Sequence, residues 1–348
     1  MTVAGQWRIL SAVENFAKYR EQWDALNDRL LHRHPLGDTC FVEPLLRHFG
    51  GPRDYLAIHG QGEHCDAMML LTSSRLGVVG SFCPSQTEMC PILIDSLDQL
   101  TPLIARFPLS NLALQLFRQD PDYCVFPDPG TALNVDVETH AITVSIDLQG
   151  RFEDYWQERS HKLRRNIGRS FRLMQERDMA WEFRVVESPQ EVVAAVDRYG
   201  DLEVLGWKFA EGTAVHSSNE QGQFYRDTMC RFADKGHGIV YELYVGDELV
   251  SSQLAIGNDS ILITLKTTYN ERYSEYSPGK LLDYLMLEYE FQRGRYARIE
   301  FCTNAGPELV RWGTSTRPVS DITLYRGNLV HRGSGVYRGL KSLRGPES

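Results

Sequence analysis

The stretch from Ile239 to Arg293 leaves this chain few ways to fold. Three apolar runs, Ile239–Val245, Leu249–Ile256 and Ile261–Thr268, are separated only by Gly246-Asp247 and by Gly257-Asn258-Asp259. Connections this short join antiparallel strands, because a parallel crossover needs a dozen residues or more. Gly246 stands where a type II′ hairpin turn requires glycine. Ser277-Pro278-Gly279 then opens a helix reaching about Arg293, and Ala297–Cys302 reads as a strand. A three-strand meander followed by one helix and a returning strand is a compact α/β unit. Its candidate ligand site is the mouth where the third strand feeds the helix that begins at Ser277.

The residues upstream extend this pattern. Arg159–Gln175 reads as an amphipathic helix, with Leu163, Ile167, Phe171 and Met174 on one face and Lys162, Arg165, Arg169 and Arg172 on the other. A strand at Trp181–Val186 follows, then helices at Pro189 to about Leu205 and at Glu220–Ala233. Nearer the start, Asn15–Leu31 and Asp95–Phe107 read as helices. Tyr55–His59, Ala67–Leu71, Gly77–Phe82 and Leu112–Phe117 read as strands. The segment Arg118–Gly130 carries three prolines and a D-P-G turn signal, and a strand at Ala141–Leu148 follows it. The domain change is therefore placed near residue 150. At a soft prior of roughly 150 residues per domain, 348 residues suit two domains, 1–150 and 151–348.

Composition removes several function classes. Lys and Arg total 37 against 46 Asp and Glu, a net charge of −9, whereas duplex nucleic-acid binders carry a basic excess. No nucleic-acid partner is expected. No stretch approaches the ~20 apolar residues of a membrane span. The opening MTVAGQWRIL lacks a basic region followed by an apolar core, so no secretory signal is read and a cytoplasmic location is expected. Seven scattered cysteines without a C-x-x-C pair, and ten histidines without ligand spacing, predict reduced thiols and no metal site.

Four constellations carry candidate chemistry. At Ser277-Pro278-Gly279-Lys280-Leu281 a glycine beside a helix start leaves backbone N–H groups bare, which suits a pyrophosphate such as that of coenzyme A; an ordinary capped helix start fits the same residues. The row Lys162, Arg165, Arg169, Arg172 is a solvated face or, in an acidic protein, a hold for an anion. Glu203 and Lys208 flank Gly206-Trp207 at an expected helix end, suiting a general base in a partly dry cleft or a helix terminus with Trp207 as a core anchor. Finally, Lys266 and the tyrosines at 269, 273 and 276 precede the Ser277 turn, where a phenol can protonate a leaving thiolate or simply pack.

Taken together, S160-HKLRRNIGRSFRLM, then E203-xx-GWK-xxx-GTA, then K266-TTYNERY-xx-YSPGKLL resemble the GNAT-superfamily acetyltransferases associated with cellulose biosynthesis, the CelD/BcsL group. The resemblance covers about residues 150–325, and more loosely the whole chain. It implies a Fem-like pair of GNAT lobes, each a mixed, mostly antiparallel sheet flanked by helices (α/β, α+β). It implies direct acyl transfer from acetyl-CoA or another acyl-CoA to an amine or hydroxyl of a small-molecule or saccharide acceptor, as in polysaccharide biosynthesis. Glu203 would be the base and Tyr269 or Tyr276 the acid. Ser277, Pro278, Gly279, Lys280 and Leu281 would hold the cofactor, while Lys162, Arg165, Trp207, Lys208 and Lys266 would hold the acceptor or an anionic group. The family's usual loop is Q/R-x-x-G-x-G/A, of which only Gly279 stands here. The stretch Phe301–Gly306 leading to Trp312 also departs from the family's acidic strand end and late Y-K. A Fem-like aminoacyl-tRNA-dependent transferase and a non-catalytic GNAT-fold binding protein are the alternatives.

Overall fold

The computed structural model describes residues 6–61, 64–74, 77–126, 134–204, 215 and 219–332. The chain forms two compact units. One comprises Met1–Ile142 with Arg317–Ser348, and the other Thr143–Thr316. The sequence reading cut the chain once, near 150. The structure assigns the C-terminal stretch to the first unit because its strand pairs there.

The first unit begins with β1 (Gln6–Ser11), α1 (Ala12–Asn15), α2 (Arg20–Leu31) and α3 (Thr39–Phe49). It continues with β2 (Asp54–Gln61), β3 (His64–Ser73), β4 (Val78–Ser81), β5 (Ile92–Leu93), α4 (Leu100–Arg106) and β6 (Ala113–Gln119). The single helix expected over Asn15–Leu31 is broken by a 3-10 turn at Phe16–Tyr19. The helix α3 was not foreseen, since Pro44 lies inside it. Asp38 starts it by accepting the Cys40 N–H, and Phe41, Val42, Leu45 and Leu46 bury one face.

Then β7 (Val135–Asp147) carries the chain into the second unit. There follow α5 (Phe152–Glu158), α6 (His161–Glu176), β8 (Trp181–Val186), α7 (Pro189–Val204) and α8 (Glu220–Asp234). Next come β9 (Gly238–Val245), β10 (Glu248–Gly257), β11 (Ile261–Tyr269), α9 (Pro278–Arg293), β12 (Arg298–Glu300) and α10 (Pro307–Val310). Finally β13 (Ser315–Tyr325) returns the chain to the first unit, where it pairs antiparallel with β6.

In the first unit the strand order is β1-β2-β3-β4-β6-β13; in the second it is β7-β12-β11-β10-β9-β8. Each sheet is antiparallel except at one place: β4 runs parallel to β6, and β11 parallel to β12. Helices cover both faces of the second unit's sheet. Adjacent residues of β9 show this, since Tyr241 donates to Glu290 of α9 while Glu242 accepts from Arg198 of α7. The meander, the basic helix and the three long helices were all legible in the sequence to within a residue or two. Their apolar faces repeat at 3.6 and their strands are bounded by tight turns.

Candidate active site

The opening in the second sheet lies between β11 and β12. Only Ile261, Leu262 and Ile263 pair with β12, against Arg298, Ile299 and Glu300. There β12 ends, while β11 runs on to Tyr269. On its other edge β11 bulges: Thr264 faces Ala255 and Lys266 faces Leu254, so Leu265 is left out of the register. A bulge bends a strand and leaves backbone groups unspent in the ladder. The second half of β11 is therefore an edge built into the middle of a sheet.

Beyond Tyr269 the chain makes a 3-10 turn, Glu271–Tyr276, anchored by Asn270, whose side chain accepts the Arg272 N–H and donates to Glu248 at 2.8 Å. Ser277 then takes a left-handed conformation (φ 51°, ψ 55°) and starts α9 without a side-chain cap. Pro278 has no N–H, and the first helical bond runs from Leu281 N–H to the Ser277 carbonyl at 3.1 Å. The N–H groups of Gly279 and Lys280 thus have no intrahelical acceptor, at the positive end of a 16-residue helix. A Cβ built on Gly279 would meet only the Tyr269 ring, at 3.6 Å, so the protein leaves space over this turn. Bare N–H groups and a helix dipole fit a pyrophosphate. Lys280 reaches sideways to Glu308 (3.0 Å), and Leu281 points into the core.

The candidate acids separate here. Tyr269, 44% exposed, lies beside Gly279. Tyr276 is 6% exposed, packs in the core, and its hydroxyl accepts from Arg177, whose guanidinium sits 5.2 Å over its ring. Glu203, 1% exposed, accepts from the Tyr199 hydroxyl (3.2 Å) and from the Val215 N–H (2.6 Å). Burial, Glu203 and Tyr225 together hold the Tyr199 phenol well above its ordinary range. Lys266 stands on the same side of the sheet, its ammonium 5.9 Å over the Tyr225 ring. Sequence reading gave Glu203 and Lys266 separate roles, and the fold links them through Tyr199 and Tyr225. Trp207 and Lys208 lie outside the described residues. Lys162 and Arg165 are on the exposed face of α6, where none of the four basic side chains forms an ion pair with the described residues.

Two polar side chains were missed. Gln253 of β10 is 1% exposed and donates from Nε2 to Thr267 Oγ1 (2.9 Å) and to Asp283 Oδ1 (3.2 Å). Burial pushes the Asp283 carboxyl up to about 7, against the lowering pull of Gln253 and Lys280. The available signal was a polar residue within an apolar run: the glutamine in SSQLAIG and the aspartate in LLDYLML. Among the described residues, no group of three or more His, Cys, Asp or Glu is placed to hold a metal, and no helix is long and apolar enough to cross a membrane.

Comparison with known proteins accords with this fold. Residues 161–308 match the acetyltransferase (GNAT) domain profile, from α6 through β12 and into α10. Among curated proteins no sequence relative is found. Among solved structures, the chain resembles a C-terminal domain assigned to a lysylphosphatidylglycerol synthetase from Agrobacterium fabrum, at TM-score 0.57 and 10% identity. That match covers 92% of this chain and 95% of that one. It resembles FemX at TM-score 0.57 and 10% identity, over 89% of this chain and 96% of that one. A conserved protein of unknown function from Bacteroides thetaiotaomicron matches at TM-score 0.54 and 9% identity, over 88% and 96%. Likeness at this identity speaks to the fold. The chain has the GNAT fold, and residues 161–308 are similar to the acetyltransferase (GNAT) domain.

Proposed function

We propose that this protein is an acyl-CoA-dependent N- or O-acyltransferase that works by direct transfer, its acceptor a small molecule or a saccharide of the cell envelope. The observation that carries the reading is the uncapped start of α9 placed directly after a bulged strand that has parted from its parallel neighbour. Acyl-CoA supplies an acyl group activated as a thioester. Ser277, Pro278, Gly279, Lys280 and Leu281 frame the pyrophosphate, with the Gly279 and Lys280 N–H groups as its donors. Backbone N–H groups of β11 near Leu265 polarise the thioester carbonyl. The acceptor's amine or hydroxyl attacks the carbonyl carbon, the C–S bond breaks, and the thiolate takes the Tyr269 phenol proton. Glu203 receives the acceptor proton by way of the Tyr199 hydroxyl or water. Lys266, Trp207 and Lys208 hold the acceptor, and Lys162 and Arg165 attract its anionic groups. The acceptor class follows from the resemblance to the cellulose-associated acetyltransferases.

The test is a thermal-shift titration with acetyl-CoA, longer acyl-CoAs and free CoA, on wild type and Gly279→Glu. At ~100 times Kd a ligand stabilises by about 2.7 kcal/mol, a shift of several degrees. The wild type should shift, and the Gly279→Glu protein should keep its fold but lose the shift. A wild type that no acyl-CoA shifts refutes the reading and turns attention to aminoacyl-tRNA as donor, or to a binding protein without turnover.

A further inference from the structure

The chemistry above makes no use of Gln253, yet this buried amide joins α9 to the open half of β11. Asp283 lies one helical turn past Gly279. The first two turns of α9 therefore run beside two same-face residues of β11: Gly279 lies against Tyr269, and Asp283 reaches Thr267 through Gln253. The Gln253 Oε1 atom is buried and has no partner among the described residues.

An amide has one donor end and one acceptor end, and this decides what Thr267 can do. When Asp283 is ionised it only accepts, so Gln253 must turn Nε2 toward it. The same Nε2 then gives its second proton to Thr267 Oγ1. The Thr267 hydroxyl, serving as acceptor there, keeps its own proton for another partner. When Asp283 is protonated, the reversed amide satisfies both neighbours, because Oε1 accepts from the carboxyl O–H and from Thr267. The hydroxyl proton is then drawn inward. Thr267 lies past the bulge, where β11 has no partner strand on the β12 side among the described residues.

We propose that Asp283 is a positioning residue which, through Gln253, sets whether the Thr267 hydroxyl donates into the opening between β11 and β12, where it stabilises the charge that develops on the acyl oxygen during transfer. The inference rests on the acyltransferase reading and adds a hydroxyl donor to it. Its pH dependence belongs to Asp283. The charged side chain acting on that carboxyl is Lys280, itself paired with Glu308 at 3.0 Å. From α5 the titratable neighbour is Tyr155, whose hydroxyl is spent on the Trp312 carbonyl at 2.7 Å. From β10 and β11 the facing groups are Gln253 and Thr267, neither of which titrates.

Two measurements separate the inference from the reading beneath it. The first uses ligand-free protein with 15N-labelled glutamine side chains. The Gln253 amide resonances should move with a midpoint near 7 in the wild type and stay flat in Asp283→Asn. A flat wild-type profile overturns the inference, whatever the protein does with acyl-CoA. The second follows thiol release from acetyl-CoA across pH. The wild-type rate should rise about tenfold per pH unit below about 7 and then level off. Thr267→Val should lower the plateau about 100-fold with the KM for acetyl-CoA nearly unchanged, and Thr267→Ser should restore most of it. A wild-type plateau in Thr267→Val, or an unaltered pH rise in Asp283→Asn, also overturns it. Failure of the wild type to bind acetyl-CoA in the thermal-shift titration refutes the acyltransferase reading instead, and with it the catalytic role of Thr267.

Discussion

Among the described residues each unit has one parallel strand pair, and the two pairs differ in what they leave undone. In the first unit β4 pairs with β6 at Val78, Val79 and Gly80. A Cβ on Gly80 would come within 2.5 Å of Phe117 Cε2, so the phenyl ring already occupies that surface. Ser81 Oγ accepts the Phe117 N–H at 2.8 Å. The helical segment that follows opens on a capping box between Ser96 and Gln99, which satisfies its first donors from within the chain. In the second unit the glycine at the helix start has room for a Cβ beside the Tyr269 ring, the serine before it makes no side-chain cap, and β11 bulges against β10. One plan thus serves two ends. Side chains fill the space beside the parallel pair in the first unit, whereas the second leaves backbone donors over at the start of α9.

The sharpest way to break this contrast is to remove a support that the first unit makes for itself. Arg317 holds Asp120 with two contacts of 2.6 Å, both side chains buried. Asp120→Ala should cost about 3 kcal/mol, because the buried guanidinium loses its two short contacts and is left with Asp122 at 3.5 Å. Urea unfolding measures that loss, and the folded protein should still take its full thermal shift from acyl-CoA. A lost shift would show that the first unit is no mere scaffold.

Next in size is a contrast in pH dependence. His34 of the first unit is fully buried, and burial with the charge of Arg317 lowers its pKa to about 3. Between about 3 and 6.5 the unfolded chain binds the proton and the folded one does not, so this group makes stability rise with pH. Asp283 does the reverse. From 3.8 to about 7 the folded state alone keeps the proton, so stability falls as pH rises. Each slope reaches at most ~1.4 kcal/mol per pH unit. Subtracting the unfolding curves of His34→Gln and Asp283→Asn from wild type should give lines of opposite sign, with Asp283→Asn the more stable protein above neutrality.

The smallest effect makes the same change twice. Gly80→Ala forces the Phe117 ring aside and should cost about 1–3 kcal/mol. Gly279→Ala meets only the Tyr269 ring at ordinary contact distance and should stay within about 0.5 kcal/mol of wild type. Equal costs in denaturant melts would mean that the α9 turn is already packed.

The sequence disclosed the second unit well because its information is local. Gly246 and the Gly257–Asp259 turn dictate the meander, and the 3.6-residue repeat of Leu163, Ile167 and Met174 dictates α6. It disclosed the Ser277 turn as a helix start, though not that Ser277 is left-handed and caps nothing. The bulge at Leu265 was hidden, since one extra residue in a strand leaves no mark on an apolar run. The bond from Gln253 to Asp283 joins residues 30 apart and depends on packing that no periodicity encodes. The same holds for β13, whose partner β6 lies about two hundred residues earlier, as in the bond from the Arg118 N–H to Asp321 (separation 203).

That late strand sets an order of events during synthesis. The span Thr143–Thr314 is synthesised before the strand that completes the first unit. Until Ser315–Tyr325 arrives, β6 presents an unpaired edge. The nascent chain therefore passes through a stage in which nearly all of the second span has been made while the first unit still lacks its last strand. In that interval the exposed β6 edge is the part most in need of protection from other chains.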